Sequence, residues 1–144
     1  MISAASVKAR LKNHAKESGH MLQDEYTMYG LERTLYRISK SSYVDDFTLK
    51  GGILLYALFE GEFARATTDI DLLAKGTEND KEIFKGIFSE VFSMKVDDAL
   101  AYDLDTLEVI SITEFKECHG VNVAIVAYLD RTRIYISLDI GFCK

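Results

Sequence analysis

Residues 133–140, Arg-Ile-Tyr-Ile-Ser-Leu-Asp-Ile, alternate polar and apolar without a break. A period of two puts Ile134, Ile136, Leu138 and Ile140 on one face of a strand and Arg133, Tyr135, Ser137 and Asp139 on the other. Such a strand belongs in a sheet with one face buried, and the rest of the chain must cover that face.

The cover is legible as helices. Residues 4–17 and 20–40 read as a helical pair, with Gly19 as the stop of the first and Ser39-Lys40-Ser41-Ser42 closing the second. In the second, Leu22, Tyr26, Tyr29, Arg33, Tyr36, Arg37 and Lys40 recur at steps of three and four. From Phe47 the pattern changes. Residues 47–50 read as a short strand, Gly51-Gly52 interrupts it, and residues 53–59 are apolar on most sides, as in a buried helix. Residues 69–74 read as a strand. Residues 78–94 carry the clearest helical stripe, made by Ile83, Phe84, Ile87, Phe88, Val91 and Phe92. Strands are expected at 107–113, 121–129 and 133–140, the last two joined by the turn Asp130-Arg131-Thr132. The order ααβαβαβββ predicts a mixed α/β fold, one sheet backed by helices.

At 144 residues and 48% apolar, the chain has the size and composition of one globular domain with a real core. We expect residues 1–40 to form a helical segment packed on a core made by residues 41–144. Cys118 and Cys143 are too few for a disulfide scaffold and lack metal-ligand spacing, which makes the reduced cytoplasm the expected compartment. No stretch is apolar for long enough to span a bilayer, and Lys8, Arg10, Lys12 and Lys16 precede no apolar run of a signal peptide, so no membrane partner is expected. Charge is uneven. Residues 1–40 hold seven Lys and Arg against four Asp and Glu (+3), and residues 41–144 hold ten against nineteen (−9), for a net charge of −6. An acidic main part argues against simple nucleic-acid backbone binding.

Acidic residues also supply the candidate chemistry. Asp69 and Asp71, two apart on a strand, share one face while Ile70 and Leu72 take the other. Their repulsion is relieved by a cation between them, and hard carboxylate oxygens suit Mg²⁺. Asp139 stands on the polar face of the last strand. If that strand neighbours the one bearing Asp69 and Asp71, three carboxylates converge at one sheet edge. Alone, a DxD is common on half-exposed strands; its context is what gives it meaning. Upstream, Gly51-Gly52 follows a strand and opens a helix, a place where backbone N–H groups hold phosphate oxygens. Lys50 and Arg65 are candidates to neutralise a triphosphate, and Thr68 to orient the loop. Arg33 and Arg37, one helical turn apart, either line the cleft or pack and pair with Glu32 or Glu25. His14, His20 and His119 are too scattered in sequence for a metal trio and read as surface or capping histidines.

The combination Phe47-Thr48-Leu49-Lys50-Gly51-Gly52, then Arg65-Ala66-Thr67-Thr68-Asp69-Ile70-Asp71-Leu72, then Leu138-Asp139-Ile140-Gly141-Phe142 resembles the nucleotidyltransferase superfamily, most closely the AbiEii/AbiGii-type toxins of type IV toxin–antitoxin and abortive-infection systems. Glu32-Arg33-Thr34-Leu35-Tyr36-Arg37-Ile38-Ser39 is similar to the helix leading into that family's core. The resemblance implies a polymerase-β-like core behind the N-terminal helical pair. It implies that Asp69, Asp71 and Asp139 hold Mg²⁺ or Mn²⁺ and act in catalysis. Lys50, Gly51, Gly52, Arg65 and Thr68 would bind the nucleotide. The implied activity is metal-dependent transfer of a nucleotide from an NTP to a cellular acceptor such as tRNA, with a cognate antitoxin as protein partner. Relatives continue beyond a Gly-Phe-Gly-Asp segment into a helical C-terminal half, whereas this sequence has Gly141-Phe142-Cys143-Lys144. The expectation is therefore a nucleotidyltransferase core without that lobe, active as part of a longer protein. The alternatives are a non-catalytic nucleotide- or antitoxin-binding module and a small-molecule nucleotidyltransferase of the antibiotic-modifying kind.

Overall fold

A computed structural model describes residues 2–49, 70–74, 80–115 and 118–141. Its helices are α1 (Ala4–Ser18), α2 (Leu22–Lys40) and α3 (Lys81–Ser93), and its strands are β1 (Phe47–Leu49), β2 (Ile70–Ala74), β3 (Leu100–Phe115), β4 (Cys118–Leu129) and β5 (Thr132–Gly141), with a 3₁₀ turn at Val44–Asp46. The strands form one mixed sheet in the order β1-β2-β5-β4-β3. Among the described strands only β2 and β5 run parallel; β1–β2, β5–β4 and β4–β3 are antiparallel. The helix expected at 53–59 lies outside the described residues.

β5 shows the alternation that its sequence dictates. Ile134, Ile136, Leu138 and Ile140 are fully buried, whereas Arg133 is exposed and Tyr135 is 60% exposed. The register carries the buried face across the sheet, through Leu72 on β2 and Val121, Val123, Ile125 and Ala127 on β4. α2 lies against β5 at Gly30. A Cβ there would stand 2.9 Å from Ile134 Cγ2 and 3.1 Å from two side-chain carbons of Ile136. Glycine is what allows the helix axis to come this close. One turn farther along α2, Thr34 satisfies its buried hydroxyl by donating to Gly30 O at 2.8 Å.

The ends of α1 are set by local chemistry. Ser3 Oγ accepts from Ser6 N at the start, and Gly19 closes the helix at φ +79°, its N–H bonded to Ala15 O. This left-handed cap turns the chain straight into α2. α3 is capped by Asp80, which accepts from Glu82 N at 2.9 Å. It buries Phe84, Ile87, Phe88, Val91 and Phe92. Ile83, expected in the same stripe, is 42% exposed, because it falls about 100° around the helix from the centre of that stripe. The α3 aromatics link the sheet's two edges: Phe47 of β1 packs on Phe84 and Phe88, and Phe92 stacks on Tyr102 of β3 at 4.7 Å between ring centres.

β3 is longer than the 107–113 expected. Leu100–Asp103 already pair with 126–129, and the register then breaks between Asp103 and Glu108. Within the break Thr106 Oγ1 donates to Asp103 O and accepts from Val126 N at 2.9 Å, so a side chain stands in for a ladder carbonyl. A bulge of this kind makes the acidic stretch Asp103-Leu104-Asp105 read as loop in sequence. The hairpin between β4 and β5 is tighter than expected: Leu129 pairs with Thr132, leaving Asp130 (φ +57°) and Arg131 as the turn.

Candidate functional site

The polar face of β5 meets its neighbours at Asp139. On one side, Asp139 is the register partner of Asn122 on β4, and on the other of Asp71 on β2. Register partners on adjacent strands belong to the same face, about 4.8 Å apart across the ladder. Positions 71 and 139 therefore stand side by side on the face opposite to Leu72, Leu138 and Ile140. Asp139 is half-buried and its Oδ1 accepts from Asn122 Nδ2 at 2.9 Å. The same amide donates to Ser137 Oγ at 2.8 Å and approaches Leu138 O at 3.3 Å. An amide held by neighbouring acceptors restricts the rotamers of Asp139 and leaves its second oxygen, Oδ2, outside this bond.

Of the residues singled out in the sequence, Lys50, Gly51, Gly52, Arg65, Thr68 and Asp69 lie outside the described residues. Asn122 was not singled out. In sequence it looks like an interruption of an apolar run, and its role depends on a strand pairing that no local pattern encodes. Two of the cavities among the described residues lie elsewhere: one of about 650 Å³ beside Arg37 and Met94, and one of about 370 Å³ between Lys85 and Glu108.

Arg37 takes the second of the two roles considered for it, though with a different partner. It is 2% exposed and grips Asp98, itself 1% exposed, through Nη1 (3.0 Å) and Nη2 (3.3 Å). Its guanidinium also lies over the ring of Tyr102, 4.7 Å from the centre. Arg33 stands 3.4 Å from Glu32 Oε1, and its Nε is at ion-pair distance, 3.4 Å, from Asp98 Oδ2. Tyr29 donates its hydroxyl to Asp98 O at 2.8 Å. Burial, reinforced by the nearby Asp98 charge, raises Tyr29 to about 12. Burial likewise raises Tyr102 to about 12, against the opposing pull of the Thr34 hydroxyl and Arg37. This centre ties α2 to the start of β3; it is a structural pairing between elements far apart in sequence.

The histidines need a correction. His14 and His20 do not sit apart as surface or capping groups: both Nδ1 atoms lie 2.7 Å from the carboxylate of Glu25, one on each oxygen. The left-handed turn at Gly19 brings His20 back over the first turn of α2, where Glu25 points toward the end of α1. The only sequence signal is that turn between two histidines and a glutamate.

No helix among the described residues is long and apolar enough to cross a membrane. Comparison with curated proteins gives no significant match, and neither does comparison with solved structures. A family model does match, described as the nucleotidyl transferase AbiEii toxin of a type IV toxin–antitoxin system, over residues 33–144. That span begins inside α2 and takes in every strand of the sheet, so the chain belongs to the AbiEii nucleotidyl transferase toxin family.

Proposed function

We propose that the chain carries the nucleotidyl-transfer centre of a toxin that moves a nucleotide from an NTP to a cellular acceptor, with tRNA the acceptor to test first. The observation that carries this reading is the side-by-side register of Asp71 and Asp139 on the parallel pair β2–β5, in a chain of this family. In this reading residues 1–40 form a helical support and residues 41–144 the catalytic unit.

The donor set fits a hard divalent cation. Carboxylates at positions 69, 71 and 139 offer oxygens only, as Mg²⁺ or Mn²⁺ prefers. Two acidic positions side by side, one already half-buried, are electrostatically unfavourable without a countercharge. When bound, the metal supplies neutralisation of the charge on phosphate oxygens. Lys50, Gly51, Gly52, Arg65 and Thr68 are proposed to hold the triphosphate through backbone N–H groups and cationic side chains. Asp139 is proposed to accept the proton of the acceptor hydroxyl. That oxygen then forms a bond to the α-phosphorus, the bond between the α-phosphorus and the bridging oxygen breaks, and pyrophosphate leaves. Asn122 acts as a positioning residue, holding Asp139 Oδ1 so that Oδ2 faces the acceptor. A cognate antitoxin and a cytoplasmic setting follow from the same reading.

The experiment is transfer of labelled nucleotide to total tRNA, in Mg²⁺, by the full protein and by its Asp71→Asn and Asp139→Asn variants. Labelled tRNA with the wild type alone supports the proposal. Equal labelling by all three sinks the assignment of the carboxylates. Nucleotide binding without labelled product points to a binding module, and labelling of aminoglycosides in place of tRNA points to a small-molecule transferase.

A further inference from the structure

We propose that His14, His20 and Glu25 form a second metal site, one that takes a borderline transition ion such as Zn²⁺ and pins α1 to α2. One ligand atom from each of the three residues can be chosen so that all lie within 4.8 Å of one another. They come from three consecutive pieces of chain: α1, the turn after Gly19, and the first turns of α2. Two imidazole nitrogens and one carboxylate oxygen are a set that favours Zn²⁺ and its neighbours over Mg²⁺, and three protein ligands leave a fourth position for water.

Two observations point to a cation there. The first is Glu25. At 3% exposure its carboxylate is all but removed from water, and its partners are the two imidazoles, with Ser18 Oγ farther off at 3.4 Å. A charged carboxylate so buried is costly unless it is paired or coordinates a metal. The second is the aim of the two rings: both Nδ1 atoms converge on that carboxylate at 2.7 Å, one on each oxygen, and the His20 side chain is only 8% exposed. An ion that displaces the bonding protons meets one nitrogen from each ring and a carboxylate oxygen at a single point.

This site is separate from the proposed catalytic carboxylates. α2 meets β5 through Gly30 on the face of Ile134 and Ile136, whereas Asp139 belongs to the opposite face. The predicted role is stability of the helical pair, since an ion that binds only the folded arrangement favours folding.

The test is titration of the chelator-stripped full chain with Co²⁺, read by visible absorption, followed by displacement with Zn²⁺. We expect one equivalent to bind with micromolar or better affinity, a spectrum showing nitrogen ligands, and a rise in melting temperature with Zn²⁺. His14→Ala, at a side chain 38% exposed, and the conservative His20→Asn should each abolish the spectrum while circular dichroism shows the fold retained. Asp139→Asn should keep it. Failure to bind one equivalent overturns the proposal. So does a spectrum that survives His14→Ala and His20→Asn, or one that disappears with Asp139→Asn. Loss of nucleotidyl transfer with this site intact would refute only the catalytic reading.

Discussion

Replacing Asp98 with alanine leaves the Arg37 guanidinium buried with no counter-ion, and the structure sets how large that loss is. Asp98 Oδ2 and Oδ1 accept from Arg37 at 3.0 and 3.3 Å, and Oδ1 also accepts from Leu100 N at 3.1 Å. In Asp98→Ala the Leu100 N–H loses its partner, which costs about 1–3 kcal/mol where it is buried. Arg37 stays charged, keeping only the face of Tyr102, an attraction of at most about 2 kcal/mol. Breaking a buried pair from one side typically costs about 3–5 kcal/mol. For a domain whose whole stability is about 5–15 kcal/mol, that is about a fifth of the total or more.

Urea unfolding followed by circular dichroism measures the loss, provided the slope is unchanged between variants. Asp98→Asn preserves an acceptor for Leu100 N and should lose less than Asp98→Ala. Arg37→Met combined with Asp98→Ala should be more stable than Asp98→Ala alone, because no fully buried guanidinium is then left without its counter-ion at this centre. A loss below about 1 kcal/mol in Asp98→Ala would refute the reasoning, since it would mean that Arg37 reaches water in the folded protein. So would a double variant no better than the single.

Gly30→Ala gains about 1 kcal/mol in helix propensity but drives a methyl against Ile134 and Ile136, an overpacking cost of about 1–3 kcal/mol. We expect a lower melting temperature; an unchanged or higher one would show that α2 can lift off β5 freely. Ala99, at φ +62°, adopts a backbone region that disfavours a Cβ, so Ala99→Gly should raise the urea midpoint by the equivalent of about 0.5–1 kcal/mol. A fall would place the strain elsewhere. Tyr29 and Tyr102, both near 12 when folded against a usual 10.0, hold their protons longer than the unfolded chain does. Their contribution is complete below pH 10 and is lost as pH rises toward 12, so stability should fall across that window, and fall less in Tyr29→Phe. Asn122→Asp replaces the donor to Asp139 with a like charge at a distance of 2.9 Å in the present structure, a repulsion of about 1–4 kcal/mol. Thermal melts in chelator should show the loss and added Mg²⁺ should offset it; no loss in chelator would mean that Asn122 does not hold Asp139.

Sequence legibility followed how local each signal is. The alternation at 133–140 fixed β5 and its two faces, because strand periodicity needs only neighbours in the chain. Both N-terminal helices came out within two residues, since Gly19 states its stop in one residue. The bulge in β3 was hidden because Thr106 bonds across to Val126, a partner no local window contains. Arg37 and Asp98 are 61 positions apart, and nothing near Arg37 distinguishes a buried arginine from an exposed one. The Glu25 cluster escaped for a similar reason: spacing alone describes His14 and His20 as scattered until the turn at Gly19 is given its direction. Adjacency of β2 and β5 was stated only as a condition in the sequence, because pairing between strands 68 positions apart is decided by the whole sheet.

The two faces of that sheet explain how polar residues are tolerated at its centre. β5 is an inner strand, flanked by β2 and β4, and inner strands are normally the most apolar part of a sheet. Here the covered face supplies the burial, with Ile134, Ile136, Leu138 and Ile140 fully enclosed. Packing therefore places no demand on the other side of the same residues' neighbours. Even there, apolarity returns away from the strand end: Ala124 and Val126, on that second face of β4, are 5% and 4% exposed. At the other end of that face a polar corner forms, where Asn122 donates to Ser137 and Asp139 and Asp71 stands in register. This corner sits on a strand paired on both edges and holds a carboxylate whose orientation is set by a neighbouring amide. In the proposed reading, rigidity of that sort serves to position a phosphate for in-line attack, and the buried face opposite supplies it.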